Sequence, residues 1–350
     1  MVSKYFSTKE VADRAKDSLM SLEKEDFILH DLVLDCIDPR TGKPLVDPSD
    51  STLTRFYKFR KNEIDYDADS SIEANVIYEN VFGRIMNRIE KKVIRRQYDN
   101  NDLYNKFGLK YELGEPDCRG GVSFRGDTMN SVATTTRAYF WAHKEMHRTR
   151  KREDFPWPKE AQNLMDLYHT PGNFMVLPYI KDISINKSRG VGNTRDYFDL
   201  FLLAVYNFFL EKNGQTPEEK MSLRYMFNND ERTELFMTYY LMPYINDDMR
   251  RFDTIPCQLV DDIEDSSRLI DYVVPGWESF VEKNYLQDFV STGHYDHYSK
   301  PLELWRGHFE EKSIRYALPC QEEEFFEFWE NAADRIKKRS ARIYDALHKD

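Results

Sequence analysis

Apolar residues recur along most of this chain at intervals of three and four, the spacing that gathers them on one face of an α-helix. Val11, Ala15, Leu19 and Leu22 set that period within residues 7–35, with Ser7 or Thr8 placed to cap its start. Residues 38–49 are dense in Pro, Gly, Asp and Ser and interrupt it, which predicts an N-terminal helical hairpin followed by a turn-rich connection. Ile72, Val76, Ile77, Val81, Ile85, Met86, Ile89 and Val93 then hold the helical period, beside a polar face that becomes basic through Arg84, Arg88, Lys91, Lys92, Arg95 and Arg96. Cations near a helix C-terminus are favoured by its dipole, and the same face is compatible with an anion or nucleic-acid contact.

The middle of the chain is more mixed. Residues 112–126 read as loop with a short strand at 122–124, and Asp127 stands where an N-cap would. From there Met129, Val132, Thr136, Phe140 and His143 predict a helix over residues 127–148. Pro158 opens a second predicted helix that reaches about residue 169, and residues 173–177 form the clearest strand. Residues 181–194 read as loop, and residues 195–212 as a helix apolar nearly all round, hence a central core helix. A helical pattern returns from Pro217 to residue 241, followed by an acidic, irregular region over residues 246–265. Over residues 322–348, Phe325, Phe328, Trp329, Ala332, Ile336, Ile343 and Leu347 lie on one stripe, acidic at the start and basic at the end.

These elements predict a mainly α fold: one large helical domain with a small β element inserted near residues 120–180. Residues 1–60 form the hairpin and its connection, and residues 61–350 a helical core domain. Composition agrees, with 41% hydrophobic and 14% aromatic residues but only 14 Gly and 14 Pro in 350. A net charge of −11 argues against a surface that binds nucleic acid throughout, although local basic stretches remain. Cys36, Cys118, Cys257 and Cys320 have no CxxC spacing, which suggests neither a zinc ribbon nor a disulfide framework. No signal peptide or membrane-length apolar run is visible, so a cytoplasmic protein is expected.

Candidate chemistry is concentrated between residues 124 and 199. Asp127, Thr128, Asn130 and Ser131, beside Arg125 and Gly126, would occupy the first turn of the predicted helix, where unpaired N–H groups and the dipole favour an anion. The plain structural reading is that Asp127 caps the helix and that Thr134, Thr135 and Thr136 bond back to its carbonyls. His169, at a helix end before Thr170, Pro171, Gly172 and Asn173, suits a general base or a structural cap equally well. Asn186 and Arg189 follow in the loop, and Asp196 and Asp199 open the core helix as caps or metal ligands. His143 with His147, and His294 with His297, are spaced for a metal but lack a third ligand. A buried network of these polar residues, with no catalysis, explains the same pattern.

Three blocks, Asp127-Thr-Met-Asn-Ser131, Tyr168-His-Thr-Pro-Gly-Asn-Phe174, and Asn186-Lys-Ser-Arg-Gly190 followed by Asp196-Tyr-Phe-Asp199, together resemble a family of uncharacterised bacterial proteins. Pro171 stands where that pattern has Ile and Phe198 where it has Trp. The resemblance implies where a site lies and no particular chemistry. A fainter likeness to HNH-type nuclease domains implies a metal-assisted phosphodiester hydrolase. His169 would then be the base, Asn186 its orienting partner, and Asp127 with Asp196 or Asp199 the holders of Mg²⁺ or Mn²⁺. Arg125, Thr128, Asn130, Ser131, Asn173 and Arg189 would bind a phosphate-bearing ligand or nucleic acid. His169 lacks the adjacent acidic residue of the usual first motif. ADP-ribosyl transfer fits poorly, since Phe124-Arg-Gly lies too close to the threonine run.

Overall fold

The computed structural model describes residues 8–34, 46–47, 49–50, 68, 71–82, 95–97, 110–113, 122–129, 132–143, 155–180, 197–252, 273–293, 296–310 and 318–349. It is helix-dominated with a small antiparallel β component, the predicted fold class. The chain falls into two compact units, one formed by residues 1–87, 92–181 and 319–350 and the other by residues 88–91 and 182–318.

In the first unit, the helical stretch expected over residues 7–35 is divided into α1 (Thr8–Met20) and α2 (Lys24–Leu29). Ser21 turns its hydroxyl back to the Ser18 carbonyl and Glu23 takes an extended conformation, so the helical ladder stops between them. α3 (Ile72–Val81) starts on Ser71, whose Oγ accepts from the Ala74 N–H at 3.0 Å. The expected continuation of that helix to residue 93 ends by Phe82 in the described residues, and Arg95 and Arg96, expected on its basic face, belong to a strand.

β1 (Arg95–Gln97), β2 (Lys110–Leu113), β3 (Val122–Thr128) and β4 (Phe174–Ile180) form an antiparallel sheet in that order. β3 and β4 pair from Val122 opposite Ile180 to Thr128 opposite Phe174. Among the described residues of the stretch expected mainly as loop, 112–113 and 122–126 are strand, and α4 begins only at Val132 (Val132–Ala142). Long-range ladder bonds to β4 outcompete the local capping preference of Asp127. α5 (Lys159–Asp166) follows Pro158, and α11, the C-terminal helix, runs Glu322–Leu347 behind a capping box of Gln321 and Glu324. It packs against α2, α3, α5 and the turn before β4.

Tyr139 on α4 is the centre of an aromatic cluster, with Phe325 and Trp329 of α11 edge-on at 5.3 and 5.0 Å. Phe155 and Trp157 lie at 6.2 and 6.3 Å. Such edge-to-face pairs add to the stabilisation that area burial gives.

The second unit is built on α6 (Phe198–Lys212), buried along almost its whole length as its all-round apolar pattern demands. α7 (Leu223–Phe227) and α8 (Asp230–Phe236) are capped by Ser222 and Asn229, and a π-helical turn, Met237–Leu241, leads into α9 (Met242–Phe252). The region expected to be irregular from residue 246 is therefore helical to Phe252. α10 (Trp277–Lys283) starts at Gly276, whose φ of +93° suits glycine. Buried Asp248 supplies its cap from α9, accepting from the Gly276 and Ser279 N–H groups at 2.7 and 3.1 Å. β5 (Val290–Thr292) and β6 (Tyr298–Pro301), a hairpin that the pattern did not predict, complete the unit. No helix among the described residues is long and apolar enough to cross a membrane.

Burial, and then the nearby Glu322 carboxylate, raise the Tyr139 phenol above its ordinary range. The folded state holds this proton more tightly than the unfolded one, so the stabilisation is whole below the unfolded phenol pKa of about 10 and is lost as pH rises further. Alkaline unfolding followed by circular dichroism should show a shallower loss of stability above about pH 10 in Tyr139→Phe than in the wild type.

Candidate functional site

The second polar block folds as a buried turn. After α5, residues 167–170 turn and Pro171–Asn173 form one turn of 3₁₀ helix, Pro171 supplying its fixed φ at the start. Thr170 Oγ1 donates to the Leu167 carbonyl at 2.9 Å, and Asn173 Nδ2 donates to the Tyr168 carbonyl at 2.9 Å. Asn173 is completely buried, so its amide replaces water for a carbonyl that has left solvent.

Gly172 lies directly against α11. Its N–H donates to Ser340 Oγ at 2.9 Å, and a Cβ built there would overlap the Ile336 carbonyl oxygen and the Ser340 hydroxyl. Arg339, also fully buried, sends Nη1 to the Gly172 carbonyl at 2.9 Å and the Phe174 carbonyl at 2.6 Å. Its guanidinium sits over the Phe82 ring at 5.6 Å. A charged donor shared between two carbonyls makes strong, directional bonds.

The same turn reaches the sheet and α2. The Met129 N–H donates to the Asn173 carbonyl at 2.7 Å, extending the β3–β4 ladder by one bond. That places the first two polar blocks side by side at one end of this strand pair. The Leu32 N–H donates to the His169 carbonyl at 3.1 Å, and His169 Nδ1 stands 3.6 Å from Asp31 Oδ1, slightly beyond a direct hydrogen bond. Asp31 Oδ1 also accepts from the Val33 N–H, while His30 Nε2 is 2.6 Å from Glu73 Oε2 of α3.

Asp127 lies in β3 opposite Met175, half-buried, and Thr128 lies opposite Phe174. Neither is on a helix N-terminus, which corrects the expected first-turn anion site. Thr136 Oγ1 donates to the Val132 carbonyl at 2.8 Å, as the structural reading expects of it, whereas buried Thr135 Oγ1 has no hydrogen-bond partner among the described residues and the side chain of Thr134 lies outside them. His169 is buried in the turn beyond α5 and does not end the helix. Asn130, Ser131, Asn186, Arg189 and Asp196 lie outside the described residues, as does the side chain of Arg125.

Asp199 belongs to the second unit, in the first turn of α6, and its carboxylate is heavily engaged. Oδ1 accepts from the Leu200 N–H at 2.9 Å, and Oδ2 accepts from the Leu304 N–H at 2.8 Å and meets His308 Nδ1 at 2.6 Å. Both side chains are buried. The carboxylate selects the His308 tautomer that carries its proton on Nδ1. The ring stacks on Trp305 with centroids 3.5 Å apart and meets Tyr197 edge-on at 5.2 Å. His308 Nε2 has no hydrogen-bond partner among the described residues.

A divalent cation fits these donors poorly. Asp199 already receives three donors, and no group of three His, Cys, Asp or Glu side chains among the described residues is arranged to hold a metal. The His143 ring lies tilted against Tyr139 with centroids 4.1 Å apart, its Nδ1 2.9 Å from the Tyr139 carbonyl, and His297 faces Glu278 at 3.7 Å; His147 and His294 lie outside the described residues.

Sequence reasoning passed over Asp31, His308, Arg339 and Ser340. A signal for the last two was present: the α11 stripe runs Ala332, Ile336, then skips to Ile343 and Leu347, and Arg339 and Ser340 fill the missing turn. For His308 the signal was weaker, a Trp305-Arg-Gly-His308 turn in which Gly307 has a φ of +81°.

Compared with protein-family models, curated proteins and solved structures, the chain finds no match in any of the three.

Gly172→Ala forces α11 away from the turn and should lower unfolding free energy by about 2–4 kcal/mol, measured by urea denaturation. Arg339→Met keeps much of the side-chain volume but leaves two buried carbonyls without their donor, and a loss of about 2–4 kcal/mol is expected in the same assay. In Asp199→Asn, the new amide must turn its NH₂ toward a group that formerly donated to the carboxylate. A loss of about 2–3 kcal/mol, read in the same way, is the expected result.

Proposed function

We propose that this protein is a non-catalytic helical binding or regulatory module, in which the polar blocks of the first unit form a structural hydrogen-bond network. The observation that carries this reading is the destination of the hydrogen bonds in residues 168–174. Asn173, Arg339 and Thr170 all spend side-chain donors on backbone carbonyls, and Ser340 accepts a backbone N–H. A substrate site keeps polar groups free to meet a ligand, whereas these groups satisfy a folded turn. The net charge of −11 supports a partner other than the nucleic-acid backbone.

A second reading, a phosphodiester hydrolase acting on nucleic acid, draws support from one observation. The 3.6 Å approach of Asp31 Oδ1 to His169 Nδ1 sets a carboxylate beside an imidazole, the pairing that orients a general base. In that reading His169 would take a proton from water with Asn186 as its orienting partner, and Asp127 with Asp196 would hold the divalent cation. The burial of His169 and the engagement of Asp199 weigh against it.

Titration calorimetry of the full chain with Mn²⁺ and Mg²⁺, paired with cleavage assays on single- and double-stranded DNA and on RNA, separates the two. The module reading predicts no binding heat and no cleavage in the wild type. One bound ion and cleavage, both lost in Asp127→Ala, with cleavage alone lost in His169→Ala, would overturn it.

A further inference from the structure

We draw no further inference here: the strongest candidate, the buried Asp199–His308 pair where the first turn of α6 meets residues 304–308 in the second unit, is a hydrogen-bonded pair within the core of that unit, and nothing in the structure shows what would reach its Nε2.

Discussion

A turn that is pressed against a helix cannot solvate its own peptide groups, and the first unit is organised around meeting that constraint at residues 168–174. The close approach of Gly172 to α11 excludes water from the Gly172 and Phe174 carbonyls. An unpaired carbonyl in such a place costs about 1–3 kcal/mol, and Arg339 serves two of them at once. Burying a guanidinium is itself costly, and its charge-assisted bonds and the Phe82 face offset that cost. Ser340, one residue on, accepts the Gly172 N–H. Two adjacent residues of α11 therefore fix the turn from both its donor and its acceptor side.

What the turn holds follows from its neighbours in sequence. Asn173 passes its carbonyl to Met129, so the position of β3 against β4 depends on the turn. His169 passes its carbonyl to Leu32 and stands beside Asp31, so the end of α2 depends on it as well. The elements that meet here come from three separated stretches of the chain: the N-terminal helices, the sheet and the C-terminal helix. Of the polar residues conspicuous in the sequence, Thr170 and Asn173 give their side-chain donors to carbonyls of this turn. The second unit applies the same device at two points, with Asp248 capping α10 and Asp199 joining α6 to residues 304–308.

The helices with strong periodicity were legible from the sequence. α6 and α11 appear within a few residues of their expected ends, because burial on one face or all round is written in spacing alone. β4 was legible for the same reason, from its apolar run after a Pro-Gly turn. β3 was legible only in its first half, the short strand expected at 122–124: Asp127 and Thr128 carry the local signal of a cap, and only pairing with a strand some fifty residues away makes them extended. The polar residues of the turn at 168–174 stood out in the sequence, but their partners were hidden. Asp31, Arg339 and Ser340 are remote in sequence, and a polar residue in an amphipathic helix looks solvated until the facing element is known.

The most direct test of this account is native-state amide hydrogen exchange, resolved at Met129, Gly172 and Asn173. The account predicts that all three exchange only through unfolding of the whole first unit, with protection equal to that of the buried amides of α11 near Ile336. Exchange of these amides through a separate, low-energy opening, while α11 stays protected, would contradict it: the turn would then be a mobile loop, and its polar side chains free for a ligand.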